Sequence, residues 1–253
     1  MYYKTTIKAG RTIEVYKSYR KRTGVVERGD RKKLTSEEMD RINQLNAERK
    51  LRIKLNANFK KGDPFITLTY RKELRPEIEQ AKKDIKKLIR ELRKYYKRQG
   101  EELKYILVTE YENKSIHHHL LLNDVDKIEK IVNDLWIYGR PNYKFLDETG
   151  QYKDLASYLI KETSKSYRKN RINGKGNKQR YSCSRNLIMP EAKVEVVKAN
   201  KWLADPKAIK GYYIDQDTII NGVDPFTNRE YQRYTMVQID ENGYDYNLFE
   251  KTG

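Results

Sequence analysis

Residues 116–122 read Ile-His-His-His-Leu-Leu-Leu, and residues 105–112 before them read Tyr-Ile-Leu-Val-Thr-Glu-Tyr-Glu. Both runs are short, rich in apolar and β-branched or aromatic residues, and separated by Asn113-Lys114-Ser115, so they predict two strands of a hairpin with its turn at 112–115. Side chains alternate across a strand. His117 and His119 therefore point to one face, and His118 to the other with Ile116, Leu120 and Leu122. These are the only histidines in the 253-residue chain. Two neutral imidazoles one strand repeat apart can grip a divalent cation if a carboxylate from a neighbouring strand completes the set. Glu110 and Glu112 share one face of the preceding strand and are the candidates.

Working outward, Phe65-Ile66-Thr67-Leu68-Thr69-Tyr70 follows Gly62-Asp63-Pro64 and predicts a buried strand with its threonines on one face. After Pro76, the residues Ile78, Ala81, Ile85, Leu88, Ile89, Leu92, Tyr95 and Tyr96 recur at three-and-four spacing under a Lys/Arg-rich outer face. They predict an amphipathic helix that closes at Gly100. A shorter helix is expected from Val125 to Trp136 and a strand from Tyr143 to Leu146. The succession β-α-β-β-α-β predicts an α+β fold, an antiparallel sheet with helices packed on one face in a ferredoxin-like (RRM-like) layout. The polar face of that sheet would carry Thr67, Thr69, Glu110, His117 and His119, and a site would lie on its open side.

Upstream, residues 2–17 alternate on either side of Ala9-Gly10 and predict a hairpin. Basic stretches follow, Lys17 to Arg22 and Arg28 to Lys33. Thr35 with Glu38 three residues on is a capping-box signature for a helix running toward Leu51. This region could wrap the core or grip a polyanion. Downstream, residues 215–253 hold eight acids against Arg229, Arg233 and Lys251. The expected division is a basic N-terminal extension (1–57), a central domain (58–200) and an acidic C-terminal extension (201–253). The acidic end is expected to be solvated, to occupy a basic groove or to bind a partner.

Net charge is +18, from 54 Lys and Arg against 36 Asp and Glu. A bias of that size favours a polyanionic partner, of which nucleic acid is the obvious one. One cysteine, Cys183, excludes an internal disulfide and a multi-cysteine zinc site. No apolar run is long enough to span a bilayer, and Met1-Tyr2-Tyr3-Lys4-Thr5 lacks the apolar stretch of a signal peptide, so a cytoplasmic location without membrane contact is expected.

Residues 154–162 predict a further helix, on which Tyr158 and Lys161 share a face. A phenol is a poor nucleophile at its free pKa of about 10; a metal polarising a phosphate, with a nearby cation, would make its attack feasible. Tyr-x-x-Lys alone is weak among 21 tyrosines. Directly after it, residues 161–185 carry nine basic residues (Lys161, Lys165, Arg168, Lys169, Arg171, Lys175, Lys178, Arg180 and Arg185) and one acid, Glu162. With Asn170, Asn173, Gly174, Gly176 and Asn177 between them, and Tyr167 and Tyr181 offering rings for unpaired bases, the segment reads as a grip on nucleic acid.

Three motifs now stand in order: the strand Phe65 to Tyr70, the paired histidines, and the Tyr158-x-x-Lys161 helix. In that order they resemble the HUH endonucleases, and within them the single-tyrosine rolling-circle replication initiators of plasmids, phages and integrative elements. Ser182-Cys183-Ser184-Arg185-Asn186-Leu187 with Pro190 is similar to the segment that follows the tyrosine helix in such initiators. The resemblance covers roughly residues 58 to 190. It implies an HUH endonuclease domain in which His117, His119 and an acid hold Mn or Mg. Glu110 suits that role best because it lies farther from the turn, with Glu112 as the alternative. It implies that Tyr158 attacks the scissile phosphate of single-stranded or hairpin origin DNA. The products are a 5'-phosphotyrosine and a free 3'-hydroxyl for a polymerase, and strands are later rejoined. Lys161 would position the phosphate and offset its charge.

The chain departs from the family pattern at His118, where a hydrophobic residue is expected, and so leaves the role of that histidine open. Glu162 stands one helical turn after Tyr158, where a two-tyrosine member has its second nucleophile. There is no Gly-x-x-x-x-Gly-Lys-Ser/Thr loop, so strand separation would fall to a host helicase. The competing readings are a relaxase or single-tyrosine transposase of the same chemistry, and a non-catalytic single-stranded nucleic-acid-binding protein with a structural metal.

Overall fold

The computed structural model describes residues 1–19, 35–110, 116–172, 180–224 and 228–239, without the side chains of 164–172. Among them the protein is α+β, with two five-stranded antiparallel sheets and four α-helices. No helix among the described residues is long and apolar enough to cross a membrane. The chain divides into two compact units, one of residues 44–148 and 152–188, the other of residues 1–43, 149–151 and 189–253.

In the first unit the order is β3 (Pro64–Leu68), α2 (Ile78–Arg98), β4 (Tyr105–Glu110), β5 (His117–Leu122), α3 (Ile128–Leu135), β6 (Asn142–Phe145), α4 (Lys153–Ile172) and β7 (Ser182–Cys183). Its sheet runs β6-β3-β5-β4-β7. The C-terminal half of α1 (Ser36–Asn58) also belongs to this unit. The predicted capping box forms: the Thr35 backbone N–H donates to Glu38 Oε2 at 2.8 Å, and the Glu38 N–H donates to Thr35 Oγ1 at 3.1 Å. Helix α2 ends at Gly100, whose φ of +76° is the left-handed conformation that a residue without Cβ adopts at least cost. Gly139 is required for a different reason, because a Cβ there would collide with the Thr69 carbonyl oxygen, the acceptor of the Trp136 indole N–H at 3.0 Å.

The expectation of helices on one face is corrected. Leu120, Leu122, Ile66, Leu68 and Tyr105 pack under α2 and α3, through Leu88, Leu92, Tyr96 and Val132. On the opposite face Phe65, Ile106, Val108 and Leu121 pack against Leu51 and Leu55 of α1 and Ala156, Leu159 and Ile160 of α4. The reason lies in the sequence of β5. Leu120, Leu121 and Leu122 are consecutive and all fully buried, so both faces need an apolar cover, as in any strand that reads as a continuous apolar run. Each such leucine contributes about 2 kcal/mol of burial free energy. The site face is therefore roofed by α1 and α4 over its leucine end and is not an open side.

In the second unit β1 (Tyr2–Ala9) and β2 (Thr12–Ser18) form the predicted hairpin. They are joined by β8 (Lys193–Val197), β9 (Tyr212–Asp224) and β10 (Arg229–Gln238) in the order β8-β1-β2-β10-β9. Residues 212–238 are thus not a solvated acidic end. Ile214, Tyr234 and Met236 bury against Ile13 and Val15, and β10 pairs with β2 from Tyr231↔Ser18 to Val237↔Thr12.

Candidate metal and nucleophile site

Strand pairing sets Glu110 opposite His117 and Val108 opposite His119 across β4 and β5, with Thr67 of β3 on the other side of His119. Glu110, His117 and His119 consequently share the face toward α4. Glu110 Oε2 lies 3.8 Å from His117 Nδ1 and 3.8 Å from His119 Nε2. Glu110 and His119 are buried, whereas His117 is partly open to solvent. The far nitrogen of His119, Nδ1, meets Thr67 Oγ1 at 3.4 Å, and its ring stacks on Phe65. This is the arrangement that orients an imidazole through its second nitrogen.

Helix α4 brings Tyr158 over this cluster. Its phenol oxygen is 3.5 Å from His119 Nε2, and its ring meets the imidazole edge-on with centroids 5.4 Å apart. At 41 % exposure the phenol remains within reach of a ligand from solvent. One turn on, Glu162 is hydrogen-bonded to Glu110, a contact that sequence reasoning missed although spacing of four on a helix puts Glu162 on the face of Tyr158. Lys161 is exposed and lowers the Glu162 pKa by its charge.

The electrostatics explain what this cluster lacks. Burial, then Glu162 and Glu110, raise the Tyr158 pKa, which holds its proton on and makes it a worse nucleophile. Burial first, then the Glu110 charge and hydrogen bond, raise the Glu162 pKa. Burial first lowers the His119 pKa, against Glu162, which raises it, so the ring stays neutral with a lone pair available. Two carboxyl groups, two imidazoles and a phenol facing one another call for a positive charge, and a cation reverses the sign of every one of these effects. Ligands of one Mg or Mn ion at 2.0–2.1 Å stand about 3 Å apart at right angles. The three donors of Glu110, His117 and His119 are wider than that by less than an ångström. Among the described residues no group of three or more His, Cys, Asp or Glu side chains forms a ready-made cage, so the fit rests on donor type and on this small inward movement.

His118 faces the other way and is fully buried. Its Nδ1 meets Thr109 Oγ1 at 2.9 Å and its Nε2 meets Tyr70 Oη at 3.1 Å. Burial first, then the neighbouring histidines, push its pKa down to about 3. It takes no part in the Glu110 cluster.

Of the basic residues expected to hold nucleic acid, Arg180 is partly exposed and Arg185 exposed, flanking β7 where it pairs with β4. Tyr181 is part-buried with Lys54 Nζ 5.4 Å from its ring centre, so it is not an open stacking platform. Glu112, Lys175 and Lys178 lie outside the described residues, as do the side chains of Lys165, Tyr167, Arg168, Lys169 and Arg171.

A buried carboxylate between two strand imidazoles, beneath a helical tyrosine, defines the class as a candidate phosphoryl-transfer site on a basic protein. Residues 63–167, from β3 through most of α4, match the family described as replication-associated protein ORF2. That match is consistent with a rolling-circle replication initiator of the HUH type, acting in DNA replication on DNA. No curated protein and no solved structure matches the chain significantly.

Proposed function

We propose that this protein is a rolling-circle replication initiator that nicks single-stranded or hairpin origin DNA through Tyr158 and later rejoins the strands. The observation that carries the proposal is the convergence at Glu110: its carboxylate oxygen is 3.8 Å from both His117 and His119, and the Tyr158 phenol is 3.5 Å from the same His119 nitrogen. The strand order β6-β3-β5-β4, with α2 and α3 as the two connections on one face, supports a ferredoxin-like HUH domain.

His117, His119 and Glu110 would hold Mn or Mg, which when bound supplies a Lewis acid for a phosphate oxygen. The chain's own groups do the rest. Tyr158 Oη forms a bond to the scissile phosphorus while the bond from phosphorus to the 3' oxygen breaks. The phenol proton is lost and the 3' oxygen gains one. The protein then carries a 5'-phosphotyrosine, and the free 3'-hydroxyl serves a host polymerase. Because the phosphodiester count is unchanged, attack by a 3'-hydroxyl on the phosphotyrosine rejoins strands. Lys161 offsets phosphate charge from the exposed side of α4. Lys165, Arg168, Lys169, Arg171, Lys175, Lys178, Arg180 and Arg185 bind the backbone with the salt dependence that phosphate contacts impose. A host helicase opens the duplex, and the reaction runs in the cytoplasm.

The test is single-stranded DNA of the protein's own replicon, with Mn or Mg. Tyr158→Phe removes one hydroxyl, so DNA affinity should persist while the nick and the denaturant-resistant adduct both vanish. Cleavage by that variant at the wild-type rate contradicts the proposal.

A further inference from the structure

Three consecutive histidines make β5 degenerate in register, because a slip of one residue exchanges which of them face α4 and which face α2. In most half-buried strands the alternation of apolar and polar residues prevents this. It cannot do so here. Leu120, Leu121 and Leu122 are all fully buried, two toward α2 and α3 and one toward α1 and α4, so leucine suits either face.

What differs between the faces is a polar chain. Gln80 Nε2 donates to Asp84 Oδ1 at 2.8 Å, and Tyr70 Oη donates to Asp84 Oδ2 at 3.4 Å. With its proton committed there, Tyr70 accepts from His118 Nε2 at 3.1 Å, which leaves His118 Nδ1 to accept from Thr109 Oγ1 at 2.9 Å. Every donor then has an acceptor, and the chain crosses α2, the end of β3, β5 and β4. Asp84 and His118 are 4 % and 0 % exposed. A slipped strand would leave these groups without partners in the interior, where an unmade hydrogen bond is costly, and would set His117 and His119 among the side chains under α2.

We propose that the Thr109–His118–Tyr70–Asp84 chain is a register lock, which selects His117 and His119, rather than His118, as the imidazoles that meet Glu110. His118, Tyr70 and Thr109 are thus positioning residues; their bearing on metal binding rests on the reading of the Glu110 cluster given above, while the lock itself does not.

Thr109→Val and Tyr70→Phe each remove a hydroxyl at nearly constant shape, and together they cut both bonds to His118. The metal-free full chain is treated with diethyl pyrocarbonate and each histidine's modification is mapped by mass spectrometry. In the wild type His117 reacts and His118 is protected. In the paired variant the lock predicts a reciprocal exchange, with His118 gaining reactivity about tenfold or more and His117 losing it. Protection of His118 unchanged, or all three histidines gaining together as in general loosening, overturns the proposal. If the pair does not fold, Thr109→Val alone is read by the same criterion. A Mn titration of the same samples separates the two readings: wild type that fails to bind Mn removes the metal assignment and leaves the labelling result to decide the lock.

Discussion

The two faces of β5 present the same side chain in opposite circumstances. Toward α2, His118 is dry, neutral and bonded at both nitrogens. Toward α4, His117 and His119 face two carboxyl groups and a phenol whose mutual repulsion nothing among them relieves. An imidazole's role is set by what it faces. The first face has its polar groups satisfied and is built for stability, and the second has a surplus of negative charge and is built to receive a cation.

The largest expected effect separates those roles. If His119 helps to hold the ion, His119→Ala should slow nicking by about a thousandfold, the equivalent of roughly 4 kcal/mol of transition-state stabilisation. DNA affinity, measured by anisotropy at fixed salt, should stay within about threefold, since phosphate contacts supply it. Nicking at an undiminished rate would move the site elsewhere.

A smaller effect sharpens the choice of acid. Glu110→Gln should weaken Mn binding by about ten- to a hundredfold, as loss of a group that supports a metal does. Glu112→Gln should change it little. The opposite ranking in a calorimetric titration would hand the ligand role to Glu112.

The smallest effect belongs to the other face. The folded-state pKa of His118, about 3, lies below its ordinary value of 6.5, so between those values the unfolded chain binds the extra proton. His118 therefore stabilises the fold fully above about pH 6.5 and loses that contribution as pH falls toward 3, at about 1.4 kcal/mol per pH unit at most. His119 adds in the same direction, since its pKa is also lowered. Urea unfolding of wild type and His118→Leu should give a shallower pH slope for the variant. Equal slopes between about pH 6 and 4 would mean that His118 is not held neutral.

Much of the first unit was legible because its signals are local. The three-and-four spacing of α2, the capping box at Thr35 and Glu38, and the alternation that sets Glu110 with His117 and His119 all act over a few residues. What escaped depends on partners distant in the chain. Leu120-Leu121-Leu122 already indicated a strand covered on both sides, but the second cover comes from α1 and α4, on either side of it in sequence. Strand β10 carries a period-two pattern in Tyr234 and Met236, yet its partner β2 lies more than two hundred residues earlier. A count of acids therefore spoke louder than the alternation. Glu162 could have been found, since four residues on a helix put it beside Tyr158. It was weighed only as the place of an absent second tyrosine.

The central claim is that Tyr158, above the Glu110 cluster, becomes covalently joined to DNA. Mass spectrometry of the protein after reaction with single-stranded origin DNA and Mn reads this directly. The account predicts a nucleotide on the phenol of Tyr158 and on no other of the 21 tyrosines. A nucleotide on Tyr152 or Tyr167 would contradict the assignment of the nucleophile, and no adduct on any tyrosine would contradict the chemistry itself.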